Sequence, residues 1–139
     1  MDFNILKTEL DDISYVNLTN IECANTLNTK NILSKKSIST SSIKQYLMLA
    51  NLWLVTKHSS AESAEVAIDA LNNFSEFDVN DTNILAMLTT VLSNLESDIT
   101  NFTNTHTQTI LGLGDVYISR AQELGLSTVT SGDVEAGRM

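Results

Sequence analysis

Two histidines, one cysteine and two close pairs of carboxylates are the residues on which this chain could build chemistry. Cys23 would need a base beside it to act as a nucleophile. It stands in the segment IECANTL, where a small, soft side chain reads as core. His58 and His106 fall on different predicted helices, and neither has a carboxylate at metal-ligand spacing on its own helix face. The carboxylates Asp11–Asp12 and Glu96 with Asp98 sit at predicted helix ends. There they would satisfy caps and the helix dipole, whereas glycosidase-type work needs two carboxyls facing each other across a cleft. The glycines of GLGD, Gly112 to Asp115, lack the longer pattern and the lysine of a phosphate loop, and read as a helix stop followed by a turn. No serine stands in a nucleophile elbow. The chain is therefore expected to have no catalytic residues, no metal site and no cofactor, and to work by binding other proteins.

Composition narrows the class of partner. The 139 residues carry a formal charge of −9, which argues against holding nucleic acid through its phosphates. The one local exception is the group Lys30, Lys35, Lys36 and Lys44. It reads as a solvated basic loop or, more sharply, as a contact for an acidic neighbour such as another copy of the chain. No apolar run reaches eighteen residues, so no membrane span is expected. The acidic opening MDFNILKTELDD is unlike a signal peptide, which gives a cytoplasmic site of synthesis as the expectation. With a single cysteine there is no internal disulfide.

Helices are the elements that must position these residues. There is no proline to break them. Asp2 caps a first helix carrying Phe3, Leu6 and Leu10. Thr19 and Glu22 form a capping box for a second, with Ile21, Ala24 and Leu27 as its stripe. Residues 28–40 read as a polar loop of about a dozen residues, long enough to suggest an interaction surface. A third helix is predicted over Ser41 to Lys57, and its YLMLANLWLV segment is apolar nearly all round, as in a helix that is enclosed or lies in an interface. Trp53, the only tryptophan, reads as core more readily than as a binding hot spot. Ser59 with Glu62 suggests a capping box for a fourth helix ending in a left-handed stop at Asn72–Asn73. A turn then presents Phe74, Phe77 and Val79 to the core. Asn80 or Asp81 opens a fifth helix with the stripe Ile84, Leu85, Leu88, Val91, Leu92 and Leu95. A sixth helix is predicted from Ser97 or Asp98 to Thr109. Ser119 with Gln122 opens a short helix closed by Gly125, and Thr130 or Ser131 caps a last turn. Together these give an all-α fold, a single irregular bundle of six or seven helices over 1–139, with 119–139 docking the terminus onto it. The candidate interface residues are Leu49, Leu52 and Trp53 from the apolar helix, Lys30, Lys35 and Lys36 from the loop, and Arg120 and Arg138 from the C-terminal block.

That block, ISRAQELGLSTVTSGDVEAGRM, resembles the ending of a group of small tailed-bacteriophage proteins. The resemblance is carried by Ser119, Arg120, Ala121, Glu123, Leu124, Gly125, Val129, Thr130, Asp133, Val134, Ala136 and Arg138. LKTELDD at Leu6 to Asp12 is similar to the group's opening. Ala24, Leu27 and Asn28 are similar to its Ala-x-x-Leu-Asn element, and Gln45 to Val55 to a central helix of some members. Where members carry a Pro-Leu-Gly-Tyr stretch, this chain has Ile13, Ser14, Tyr15 and Val16. The resemblance implies a structural or accessory protein of the virion, in the tail, baseplate or neck. It would be made in the host cytoplasm and held among other phage structural proteins in several symmetric copies. The alternative setting is a phage protein outside the virion, such as an assembly chaperone or an inhibitor of a host protein.

Overall fold

The computed structural model describes residues 1–139, which form nine α-helices and four short strands. The protein is mostly helical, as expected, but its helices are more numerous and shorter than a bundle of six or seven, and strands are interleaved with them. Contacts group the chain into two compact units, Met1–Ser34 with Tyr117–Met139, and Lys35–Val116. The sequence shows no boundary inside 1–139.

The first unit holds α1 (Phe3–Leu10), α2 (Asn20–Asn28), α8 (Arg120–Glu123) and α9 (Ser131–Arg138). Four of its helix starts are set by side chains. Asp2 accepts from the amides of Asn4 and Ile5, and complete capping boxes join Thr19 to Glu22, Ser119 to Gln122 and Thr130 to Asp133. Leu6, Leu10, Tyr15, Cys23, Ala24, Leu27, Ala121, Leu126, Val129 and Val134 are buried together. Phe3 and Ile21, expected in the apolar stripes, are exposed. α9 packs on α1 and α2, and α8 on α2. Gly137 allows that approach, since a Cβ there would come within 3.1 Å of Leu10 Cδ1 and 3.3 Å of Leu6. Gly125, at φ +75°, ends α8 as a Schellman turn. Its amide donates to Gln122 and that of Leu126 to Ala121, at 3.0 and 2.8 Å.

The second unit is built on α5 (Glu62–Asn73) and α6 (Thr82–Asp98), with α3 (Thr40–Leu49), α4 (Trp53–His58) and α7 (Asn104–Gly112) around them. Its core includes Ile43, Leu47, Leu71, Phe77, Leu88, Leu92, Leu95 and Ile110. Of the two expected starts of α6, Asn80 and Asp81, it is Asp81 that caps the helix. Ser59 and Glu62 do not form a capping box. α5 starts at Glu62 with Ala61 as its N-cap residue, and the Ala61 amide donates to the Ser59 hydroxyl. α5 ends in extended backbone at Phe74, without the left-handed stop expected at Asn72–Asn73. α7 starts at Asn104, later than expected, because α6 continues to Asp98 and the chain then turns through Asn101 at φ 70°.

The polar loop expected over 28–40 contains two strands. β1 (Ile32–Lys35) pairs with β4 (Asp115–Ile118), and β2 (Ile38–Ser39) pairs antiparallel with β3 (Glu76–Phe77), with Ile38 opposite Phe77. The partner strands are nearly forty and more than eighty residues away, so no local periodicity announces them.

The third helix is not continuous. α3 closes at Ala50, Asn51 takes φ 59°, and α4 begins at Trp53. The amides of Asn51 and Leu52 donate to the carbonyls of Met48 and Leu47 at 3.1 and 2.8 Å, the two bonds of a Schellman turn. Asparagine tolerates the left-handed conformation better than other non-glycine residues. The same turn folds Leu52 back over Leu47 and buries both. No helix of the chain is long and apolar enough to cross a membrane.

Candidate protein-contact surfaces

The C-terminal block forms a dense set of contacts inside the first unit. Arg120 of α8 grips Glu9 of α1 with two bonds, Nε to Oε1 and Nη2 to Oε2, both 2.9 Å, and also pairs with Glu123. The Tyr15 hydroxyl donates to Glu9 Oε1 at 2.8 Å. The paired N–H groups of a guanidinium match a carboxylate, which fixes orientation as well as charge. The Glu9 side chain is 14% exposed. The Arg120 hydrogen bonds hold its carboxyl below its ordinary value of 4.5 against the opposing effect of burial, with Tyr15 helping. Burial, then the Glu9 contact, pushes the Tyr15 phenol up, and Glu9 with Glu123 raises Arg120.

Two more contacts tie the block down. The Asn28 side chain pairs with the backbone of Val129 in both directions, Nδ2 donating to the carbonyl at 2.6 Å and the amide donating to Oδ1 at 2.9 Å. Arg138, at the end of α9, donates to Asn20 Oδ1 at 2.8 Å and to the carbonyls of Tyr15 and Leu18 at 2.9 Å. Its Nη2 also lies 2.9 Å from Cys23 Sγ, a fully buried thiol. Separate stretches of the sequence thus meet in pairs, Glu9 with Arg120 and Asn28 with Val129, while Arg138 closes on Tyr15, Leu18 and Asn20. Arg120 and Arg138, candidates for contact with a neighbour, are engaged within their own unit. The partner of Arg120 that the sequence did not suggest is Glu9, 111 residues away, for which no spacing rule exists.

Because the folded pKa of Glu9 lies below its unfolded value, its contribution is fully present above about pH 4.5 and is lost as pH falls through the folded value. Asp12, lowered by the Ser14 amide and hydroxyl, adds in the same direction. Urea titrations followed by the amide NMR signals of α1 and α9 are expected to show a lower midpoint at pH 3 than at pH 7. Glu9→Gln should lower the midpoint at pH 7 and flatten the difference. An equally steep loss in that variant would remove Glu9 as its source.

The lysines of residues 28–40 are dispersed. Lys35 pairs with Asp115, and the Lys36 amide donates to the Gly114 carbonyl at 2.8 Å. Lys30 and Lys36 are exposed and make no ion pair. Elsewhere in the second unit, Glu96 accepts from Thr107 Oγ1 at 2.6 Å and Asn104 Nδ2 at 3.2 Å, binding α6 to the first turn of α7. His106 Nδ1 meets the Tyr46 hydroxyl at 2.6 Å.

The apolar segment splits into inside and outside. Leu52 is buried, 3% exposed, because the Schellman turn points it at the core; it is not available as an interface residue. Leu49 is 78% exposed, and Met48, Leu54 and Val55 are exposed with it. Trp53 is half-buried, packed against the core on one side, with Lys44 Nζ 5.6 Å from its ring centroid. Met48, Asn51, Trp53, Leu54 and Val55 line a shallow, largely apolar groove of about 370 Å³. Comparison with protein-family models, curated proteins and solved structures gives no match.

Proposed function

We propose that the chain is a structural or accessory component of a tailed-phage particle, placed in its tail, baseplate or neck and acting through protein–protein contacts with other particle proteins. The observation that carries this reading is the C-terminal block from Ser119 to Arg138, with its resemblance to small tailed-phage proteins. The first unit gives that resemblance a physical sense. The similar stretches at Leu6–Asp12, Ala24–Asn28 and the C-terminus are mutually dependent through Glu9–Arg120, Asn28–Val129 and Arg138. The block then serves to assemble the unit, and contact with neighbours falls to surfaces such as the exposed strip of Met48, Leu49, Leu54 and Val55.

The test is mass spectrometry and imaging of purified particles. The chain is expected in them at a fixed ratio to tail or neck proteins. Its absence from particles, together with abundance in infected cells and capture of a host protein, would replace this function with that of an assembly chaperone or host-protein inhibitor.

A further inference from the structure

Charge is segregated along the middle of the chain. From Cys23 to Lys57 there are lysines at 30, 35, 36, 44 and 57 and no carboxylate. From His58 to Ser119 there are carboxylates at 62, 65, 69, 76, 78, 81, 96, 98 and 115 and no lysine or arginine. The fold turns this division into two surfaces of one unit that share no residue. One is the exposed apolar strip of α3 and α4, which forms a ridge at Leu49 and Leu54, 78% and 64% exposed, beside the shallow groove lined by Trp53. Lys44 lies over the Trp53 ring, and Lys57 follows Leu54 by three residues in α4. The other is a groove of about 400 Å³ between α5 and α6, lined by Glu62, Ser63, Val66, Val91, Asn94, Ser97 and Asp98. Its apolar residues are Val66, 48% exposed, and Val91, and Glu62 and Asp98 line the same groove.

We infer that the lysine-flanked ridge of α3–α4 docks into the acidic α5–α6 groove of a second copy of the chain. Charge complementarity selects this occupant. The ridge needs an acidic partner surface with an apolar centre, and the same polypeptide presents one. It also selects the geometry. Ridge against ridge would bring Lys44 and Lys57 toward their own copies, and groove against groove would oppose Glu62 and Asp98, so both like-on-like arrangements are disfavoured. Ridge to groove is a contact between unlike surfaces, which is either exchanged reciprocally in a two-fold dimer or leaves one free ridge and one free groove after every addition and builds a ring or filament. The contact deepens the proposed multi-copy particle role, but it is tested on the isolated chain, so its failure and the failure of the particle assignment are separate results.

The experiment is sedimentation velocity on the purified full chain over a concentration series at low and high salt. The wild-type protein is expected to form dimers or larger species as concentration rises, and to form fewer of them at high salt. Lys44→Glu with Lys57→Glu on the ridge, or Glu62→Lys with Asp98→Lys in the groove, should each weaken association on the order of tenfold or more. A chain carrying all four reversals should associate again, because its two surfaces are complementary with the signs exchanged. Leu49→Asp, at a position with little packing to lose, should be monomeric with an unchanged circular dichroism spectrum. A wild-type chain that stays monomeric throughout overturns the inference. So does a dimer that the ridge reversal abolishes and the groove reversal leaves intact, or a four-reversal chain that folds yet stays monomeric.

Discussion

Removing the chain after Tyr117 should unfold the first unit. The deleted segment supplies Ala121, Leu126, Val129 and Val134, four of the ten buried apolar residues of that core. Burying one leucine or valine is worth about 1.5–3 kcal/mol, so the three larger side chains alone account for roughly 5–9 kcal/mol. A stability of about 5–15 kcal/mol is typical of a whole domain. The loss does not stop at burial. Glu9 would lose Arg120, Asn28 would lose both bonds to Val129, and the carbonyls of Tyr15 and Leu18 would lose Arg138. Leu6 and Leu27, now fully enclosed, would face water. In amide NMR spectra of the truncated chain, the signals of α1 and α2 are expected to collapse to unfolded positions, and trypsin should cut at Lys7 and Lys30. Unchanged signals and unchanged melting would mean that the C-terminal block is dispensable for folding and serves a partner instead.

The parts of this fold that were legible in the sequence are those whose causes are local. Asp2, Thr19 with Glu22, Asp81, Ser119 with Gln122 and Thr130 with Asp133 all cap the helices that their spacing announces, because a cap is a bond between residues two or three apart. Gly125 was legible for the same reason, as glycine enters the left-handed region at little cost. Asn51 was not, since the apolar pattern from Ile43 to Val55 fits one continuous helix as well as two. What decides between them is whether Leu52 gains more by folding back on Leu47 than the helix gains by continuing. That comparison depends on the core around Leu47, which no window of sequence contains. The strands failed for a related reason. Ile32–Lys35 and Ile38–Ser39 are strands because β4 and β3 lie beside them. The surface inherits both failures. Leu49, Leu52 and Trp53 were grouped by hydropathy, and the turn at Asn51 separates them into an exposed, a buried and a half-buried residue.

Phe77→Ala should be among the most damaging single substitutions in the second unit, at about 3–5 kcal/mol. Phe77 heads the fully buried side chains by volume, at 1% exposure. β3 places it opposite Ile38, and it lines the interior space enclosed by α3, α4, α5 and α6 with Leu47, Leu71, Leu88, Leu92 and Leu95. Backbone pairing holds its Cα at the sheet register, so the surrounding helices can collapse only partly into the volume that the ring leaves, and a residual cavity adds to the lost burial. Phe74 is the control. Its ring centroid lies 5.4 Å from that of Phe77, yet it is 42% exposed, so most of its alanine cost is the loss of one aromatic contact, about 0.5–1.5 kcal/mol. Urea unfolding followed by the fluorescence of Trp53, the only tryptophan and a residue of the same unit, measures both. Two equal costs would mean that the two rings share the burial, and that the β2–β3 pairing does not fix which of them enters the core.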